Sequence, residues 1–162
     1  MAVRHSLFYA GKYDQAIAQS RKTLEVDPND WLTYQGLGQV YERTKQYPEA
    51  IAALQKSREL ETSNPSTLGY LGHVYGVAGK KADAEKTLQE LKEISKQRYV
   101  PPYNFACVYA GLGDKDQAFE WLERAYTERD FYLTLLKVEP AMDNLRSEPR
   151  FAGLLKRVGL AE

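Results

Sequence analysis

Small and apolar residues recur along this chain at one fixed interval. Ala16, Ala50, Ala84 and Ala118 stand 34 residues apart with no drift. The same step joins Leu37, Leu71 and Phe105, then Gly38, Gly72 and Ala106, then Tyr41, Tyr75 and Tyr109, and also Leu54, Leu88 and Leu122. A further column holds Gly11, Lys45, Gly79 and Gly113. Independent columns that agree on one period mark a repeat architecture, in which each unit is a supersecondary element that needs its neighbours to bury its apolar face.

Each column has a physical reason. With Trp31 as position 1 of the second unit, Tyr34, Leu37, Gly38 and Tyr41 fall at helical spacing and form the buried stripe of a first helix. Ala50, Leu54 and Ser57 form the facing stripe of a second helix. Small residues at positions 8 and 20 let the two backbones approach, and the large residues fill the space beside them. Position 15, glycine in three of four units, is where the chain needs positive φ to leave a helix. Pro28 closes one helix, and Pro65 opens another at its first turn, where a missing N–H is harmless. The pattern predicts helices over 2–10, 14–26, 31–44, 47–60, 66–78, 82–97, 102–112 and 115–128.

Trp31, Leu37-Gly38, Tyr41, Tyr47, Ala50 and Leu54, and in the next unit Leu71-Gly72, Tyr75, Gly79 and Ala84, resemble the tetratricopeptide-repeat (TPR) family. The resemblance covers residues 1 to about 128. The expected fold is all-α, a right-handed TPR-type solenoid of antiparallel helix pairs with a C-terminal helical cap. Its units are a truncated first repeat at 1–30, then 31–64, 65–98 and 99–128, with a capping segment at 129–162. Departures are visible. Ala106 replaces glycine, Pro101-Pro102 displace a helix start, and Arg4 stands where a small residue is usual. The first unit lacks its first four positions, which predicts further chain ahead of Met1 in a longer parent.

The 34-residue pattern is expected to stop after residue 128, because its next position 8 would be Pro140, which no helix holds mid-length. Instead Glu139-Pro140-Ala141-Met142 is echoed nine residues later by Glu148-Pro149-Arg150-Phe151, and Gly159 offers a stop. Phe131, Leu135, Leu136, Met142, Leu145, Phe151, Leu154 and Leu155 are expected to pack on the fourth unit, since a solenoid end must be covered. The other reading is a segment that docks on a second molecule. This tail also resembles the C-terminal ends of bacterial multidomain regulators in which a DNA-binding or kinase domain precedes a TPR array.

A second stripe on each first helix, at positions 2, 5, 9 and 12, faces away from its partner helix and would line a concave surface once the units stack. TPR proteins bind extended or helical peptides there, as the resemblance implies. On this chain the stripe and its neighbours read His5, Phe8 and Tyr9, then Leu32, Gln35, Gln39, Glu42 and Arg43, then Gly69, His73, Gly76 and Val77, then Val100, Tyr103, Cys107 and Ala110. Phe8, Tyr9 and Tyr103 are rigid aromatic anchors. Gln35, Gln39 and His73 can hydrogen-bond a peptide backbone, and Gly69 and Gly76 leave room for a bulky side chain. The Lys, Asn and Arg clamp of the TPR subgroup that binds chaperone C-termini is absent, so no such tail is expected to bind. Cover by the cap, or by missing N-terminal chain, is the competing reading for these residues.

Composition narrows the remaining classes. Lys plus Arg equals Asp plus Glu at 22 each, which provides no footprint for nucleic acid or an anionic membrane. RNA reading by helical repeats needs basic positions, and the stripe offers Arg43 against Glu42. No apolar run nears the roughly 18 residues of a membrane span, and the N-terminus carries no secretory pattern. One cysteine, Cys107, leaves a reducing, cytoplasmic setting as the simplest. His5, His73 and Cys107 have no metal-ligand spacing. His73 and Cys107 share a column, but a small apolar filler is the better reading of that thiol. No enzyme, cofactor or metal is expected. The expected function is a scaffold for a protein or peptide ligand, part of a larger bacterial regulatory protein. The alternative is a self-associating module, a homo-oligomer built through the N-terminal end or the tail.

Overall fold

The computed structural model describes residues 7–160. Arg4, His5 and the start of the first expected helix lie outside the described residues, and residues 7–9 are helical. The helices are α1 (Tyr13–Val26), α2 (Trp31–Arg43), α3 (Tyr47–Leu60), α4 (Pro65–Val77), α5 (Lys81–Ser95), α6 (Pro102–Leu112) and α7 (Lys115–Thr127). Two 3-10 helices, η1 (Phe131–Leu135) and η2 (Pro140–Leu145), precede α8 (Pro149–Val158). Every regular element among the described residues is helical, as the period requires. Two compact units are present, one ending at Thr67 and the other beginning at Leu68.

The connection inside each helix pair is one motif made four times. Gly11, Lys45, Gly79 and Gly113 have φ of 71°, 59°, 75° and 77°. At each, the N–H of position 15 donates to the carbonyl three residues back, and the next N–H donates five residues back, all at 2.8–3.0 Å. This pair of bonds is the Schellman ending, which satisfies orphan carbonyls of the first helix. Lys45 adopts the left-handed conformation despite its Cβ, so the surrounding structure and not glycine alone fixes the turn.

Within the first unit, α2 meets α3 where Gly38 lies under Leu54. A Cβ at Gly38 would stand 2.9 Å from Leu54 Cδ2, so glycine is required for the approach. Ser57 Oγ ties the pair by donating to the Trp31 carbonyl at 2.9 Å. Asp30 caps α2, its Oδ1 accepting from the Leu32 and Thr33 amides at 3.1 and 3.3 Å. Within the second unit, Gly72 has Val108 and Thr87 against it, where a Cβ would lie 2.6 Å from Val108 Cγ2 and 3.0 Å from Thr87 Cγ2. Phe105 stacks on Trp121 with centroids 4.1 Å apart. Ala16, Ala50, Ala84 and Ala118 are all 0% exposed.

The tail corrects one expectation. The sequence columns end after residue 128, but the spacing of elements does not, for α8 begins 34 residues after α7. Arg150 Nη1 meets Asp116 Oδ1 and Arg157 Nη1 meets Glu123 Oε1, each at 2.8 Å and each across 34 residues, so the two helices run side by side in register. Exposed pairs of this kind contribute about 0–1 kcal/mol and mark the register more than they hold it. The place of a first helix is taken by η1 and η2, because Pro140 has no N–H to give and its ring blocks the preceding turn. Leu136, Met142, Leu145, Phe151 and Leu154 are buried as anticipated, joined by Leu133 and Ala141. Phe131 is not, at 74% exposure.

The turn motif yields a stability test. Lys45→Gly should raise stability by about 0.5–1 kcal/mol, the left-handed penalty of a side chain exceeding the entropy cost of glycine. Gly79→Ala should lower it by about 1 kcal/mol. Urea unfolding reads both, and equal effects of the two substitutions would contradict the turn geometry.

Candidate functional site

The expected stripe falls into two sets with different fates. In the first unit, Phe8 is buried in a cluster with Ala16 and Val40, flanked by Leu7, Tyr13 and Ile17. Its ring meets Tyr9 edge-on at 5.2 Å. Tyr9 itself is 47% exposed. Gln35 and Gln39 on α2 are half-buried and Arg43 is exposed. Gln35 Nε2 donates to Thr67 Oγ1 at 3.1 Å, and Arg43 Nε donates to Tyr13 Oη at 3.5 Å. A cleft of about 440 Å³ lies between Ile17, Ala18, Tyr41 and Gln46, rimmed by Asp14, Arg21 and Glu49. It contains none of the expected stripe residues.

In the second unit the α6 part of the stripe is roofed by the tail. Tyr103, Cys107 and Ala110 form one apolar cluster with Leu133, Leu136, Ala141, Met142 and Leu145. Tyr103 is 1% exposed and its ring stacks on Tyr132 at 5.7 Å. The expectation that Tyr103, Cys107 and His73 stand on an open surface is therefore corrected, since the chain's own residues cover them. His73 is buried and its Nδ1 lies 2.9 Å from the Cys107 carbonyl. A carbonyl can only accept, so Nδ1 carries the proton, and the imidazole bridges α4 and α6. Gly69 and Gly76 provide no ligand space either. A Cβ at Gly69 would lie 3.1 Å from Asn104 Cα, and one at Gly76 would collide with the Gly111 backbone. Their missing side chains serve helix approach. Val77, at the end of α4, remains exposed.

Polar contacts fix the roof. Asp130 Oδ2 accepts from the Tyr103 amide at 3.0 Å, capping α6, while Oδ1 accepts from the Tyr132 amide at 3.0 Å and starts η1. Tyr70 Oη donates to Glu139 Oε2 at 3.1 Å. Asn144 Nδ2 donates to the Ala110 carbonyl at 2.7 Å, once more across 34 residues. Burial, then the adjacent Glu139 charge, pushes the Tyr70 and Tyr103 hydroxyls well above the usual tyrosine range. Burial also raises Asp130, against the lowering effect of the two amides it accepts.

Sequence reasoning missed Tyr70, Asp130 and Glu139. Asp130 and Glu139 carry one legible sign, a carboxylate just ahead of a 3-10 or helical start. Burial of Glu139 at 2% exposure had none. Among the described residues, no group of His, Cys, Asp and Glu is arranged to hold a metal ion, and no helix is long and apolar enough to cross a membrane.

Comparison with known proteins agrees with this geometry. The chain carries tetratricopeptide repeats: family models described as Tetratricopeptide repeat match residues 5–65 and 103–140. Among solved structures it is similar to MamA, at 23% identity and a TM-score of 0.56, over 97% of this chain and 92% of that one. It is also similar to YrrB, described as a TPR protein with an unusual peptide-binding site, at 19% identity and a TM-score of 0.54, over 95% of this chain and 80% of that one. No curated protein matches the sequence. The fold is thus TPR-type, an architecture typical of protein-interaction scaffolds.

The roof makes its own prediction. Tyr103 ionises less readily folded than unfolded, so its contribution to stability is whole below pH 10 and is lost as pH rises above it. Tyr103→Phe should leave stability at pH 7 within about 0.5 kcal/mol or raise it, since the hydroxyl has no hydrogen-bond partner among the described residues. It should also flatten the alkaline loss. Asp130→Ala, by contrast, should cost about 1–3 kcal/mol at pH 7 by orphaning the Tyr103 and Tyr132 amides. Urea titrations at pH 7 and 10.5 decide, and a steeper alkaline loss in Tyr103→Phe would contradict the burial of that hydroxyl.

Proposed function

We propose that this chain is a non-catalytic, peptide- or protein-binding scaffold whose open ligand surface lies on the first unit. Tyr9 supplies an exposed aromatic anchor backed by Phe8, Gln39 and Gln35 offer amides to a peptide backbone, and Arg43 adds a cation at the edge. The observation that carries this reading is the exposure of Tyr9 and Arg43 in the first unit, set against the coverage of His73, Tyr103 and Cys107 in the second. The description of YrrB as a peptide-binding TPR protein supports the class of ligand without naming one. In this reading the chain is a cytoplasmic module of a larger bacterial regulatory protein, as its tail suggests by resemblance.

Fluorescence anisotropy against a library of labelled extended peptides tests it. A paired Tyr9→Ala, Gln39→Ala variant should weaken every binder at least tenfold, about 1.4 kcal/mol, with unfolding midpoints little changed. Binding that ignores this variant would refute the first-unit surface. Mass that rises with concentration in light scattering, with no peptide present, would favour self-association instead.

A further inference from the structure

The roof of the second unit fits its stripe well in shape and poorly in polarity. Tyr103 Oη, beneath the tail, is buried and has no hydrogen-bond partner among the described residues. Buried donors in folded proteins are nearly always satisfied, so each exception calls for a reason. Tyr103 Oη lies within electrostatic reach of Glu139, Tyr70 and Cys107, yet the Glu139 carboxylate takes its hydroxyl bond from Tyr70. Of these two buried hydroxyls, Tyr70 beside the stripe and Tyr103 on it, the tail's carboxylate takes a hydrogen bond from Tyr70, and Tyr103 Oη has none among the described residues.

The tail is also built as a body of its own. Arg146 gathers it internally, donating to the Lys137 carbonyl at 2.7 Å, the Glu139 carbonyl at 3.1 Å and Asp143 Oδ1 at 2.8 Å. Its backbone is 3-10, with poorer hydrogen bonds than an α-helix. It leaves α7 through Arg129, a non-glycine residue at φ 55°. Between the tail and the helices beneath it, hydrogen bonds run from Tyr70 to Glu139, from Asn144 to the Ala110 carbonyl and from the Tyr103 amide to Asp130.

We propose that residues 131–145 are a displaceable internal occupant of the second unit's groove, standing in for a partner segment that presents an acidic side chain followed by proline and apolar residues. Glu139-Pro140-Ala141-Met142 is the template for that partner. A partner carboxylate free of the tail's own constraints can accept from both Tyr70 and Tyr103, while apolar residues after the proline enter the space of Met142 and Leu145. Because the tail is tethered, it competes at an effective concentration of about millimolar. The partner therefore binds only the opened fraction, and its apparent affinity is reduced by that fraction. The inference deepens the scaffold reading and shares with it the premise that the stripe bears ligands.

The full chain serves for the test, with a synthetic peptide of residues 133–146 as probe. Amides of 131–145 should exchange with deuterium at least 100-fold faster than those of α6 and α7. An Asn144→Ala, Arg146→Ala variant, loosened in the tail but intact in the stripe, should bind the peptide at least tenfold more tightly than the natural chain does. A peptide carrying Glu139→Ala should lose at least tenfold on that variant. Exchange of tail and α6 amides at one common rate would overturn the proposal. So would a helical, loosened variant that takes no peptide, or takes it as an impermeable core would, with no dependence on the glutamate. Failure of the first-unit reading is separable, because it shows as library binding insensitive to Tyr9→Ala, Gln39→Ala while the tail peptide still binds.

Discussion

Two helices can approach closely only where at least one of them carries no side chain at the contact, and this constraint organises both units. Gly38 beneath Leu54 sets the α2–α3 distance, and Gly72 beneath Val108 and Thr87 sets that of α4 from α5 and α6. Gly76 against the Gly111 backbone closes the α4–α6 approach at its far end. Once these contacts are made, helical spacing dictates which faces are spent on packing and which are left over. The left-over stripe of α2 is half-buried, and that of α6 is covered by the tail.

The helix pairs were legible because their cause is local and repeated. A column such as Ala16 to Ala118 records the same packing event at each unit, and the left-handed turn after each first helix is written as glycine wherever the strain is not borne by Lys45. Predicted and observed helix limits differ by a residue or two, the ordinary uncertainty of helix ends. Pro140 announced that no α-helix could pass through it, and the 3-10 substitute follows from that.

The candidate site was harder to read, for a physical reason. Position in a helix tells which way a side chain points, but not what arrives later in the chain to meet it. Tyr103 and Cys107 lie on the expected stripe, yet their neighbours Leu133, Leu136 and Met142 come from a segment outside the 34-residue columns, whose cover of the stripe stood only as the competing reading. Gly69 and Gly76 look like ligand space in one dimension and prove to be contact points in three. His73, a plausible ligand donor by sequence, instead spans 2.9 Å to a carbonyl of the next repeat. Glu139 shows the limit most plainly, since a buried carboxylate is recognised only by the hydroxyl that reaches it.

Coverage of α6 by the tail closes that helix's stripe with the chain's own residues. The most direct measurement is a nuclear Overhauser spectrum of the natural chain with its two methionine methyls labelled. Cross-peaks from the Met142 methyl to protons of α6, Cys107 and Tyr103 among them, are the predicted result. A Met142 methyl with solvent-like relaxation and no contact to α6 would contradict the account, and would return Tyr103 and Cys107 to an open groove.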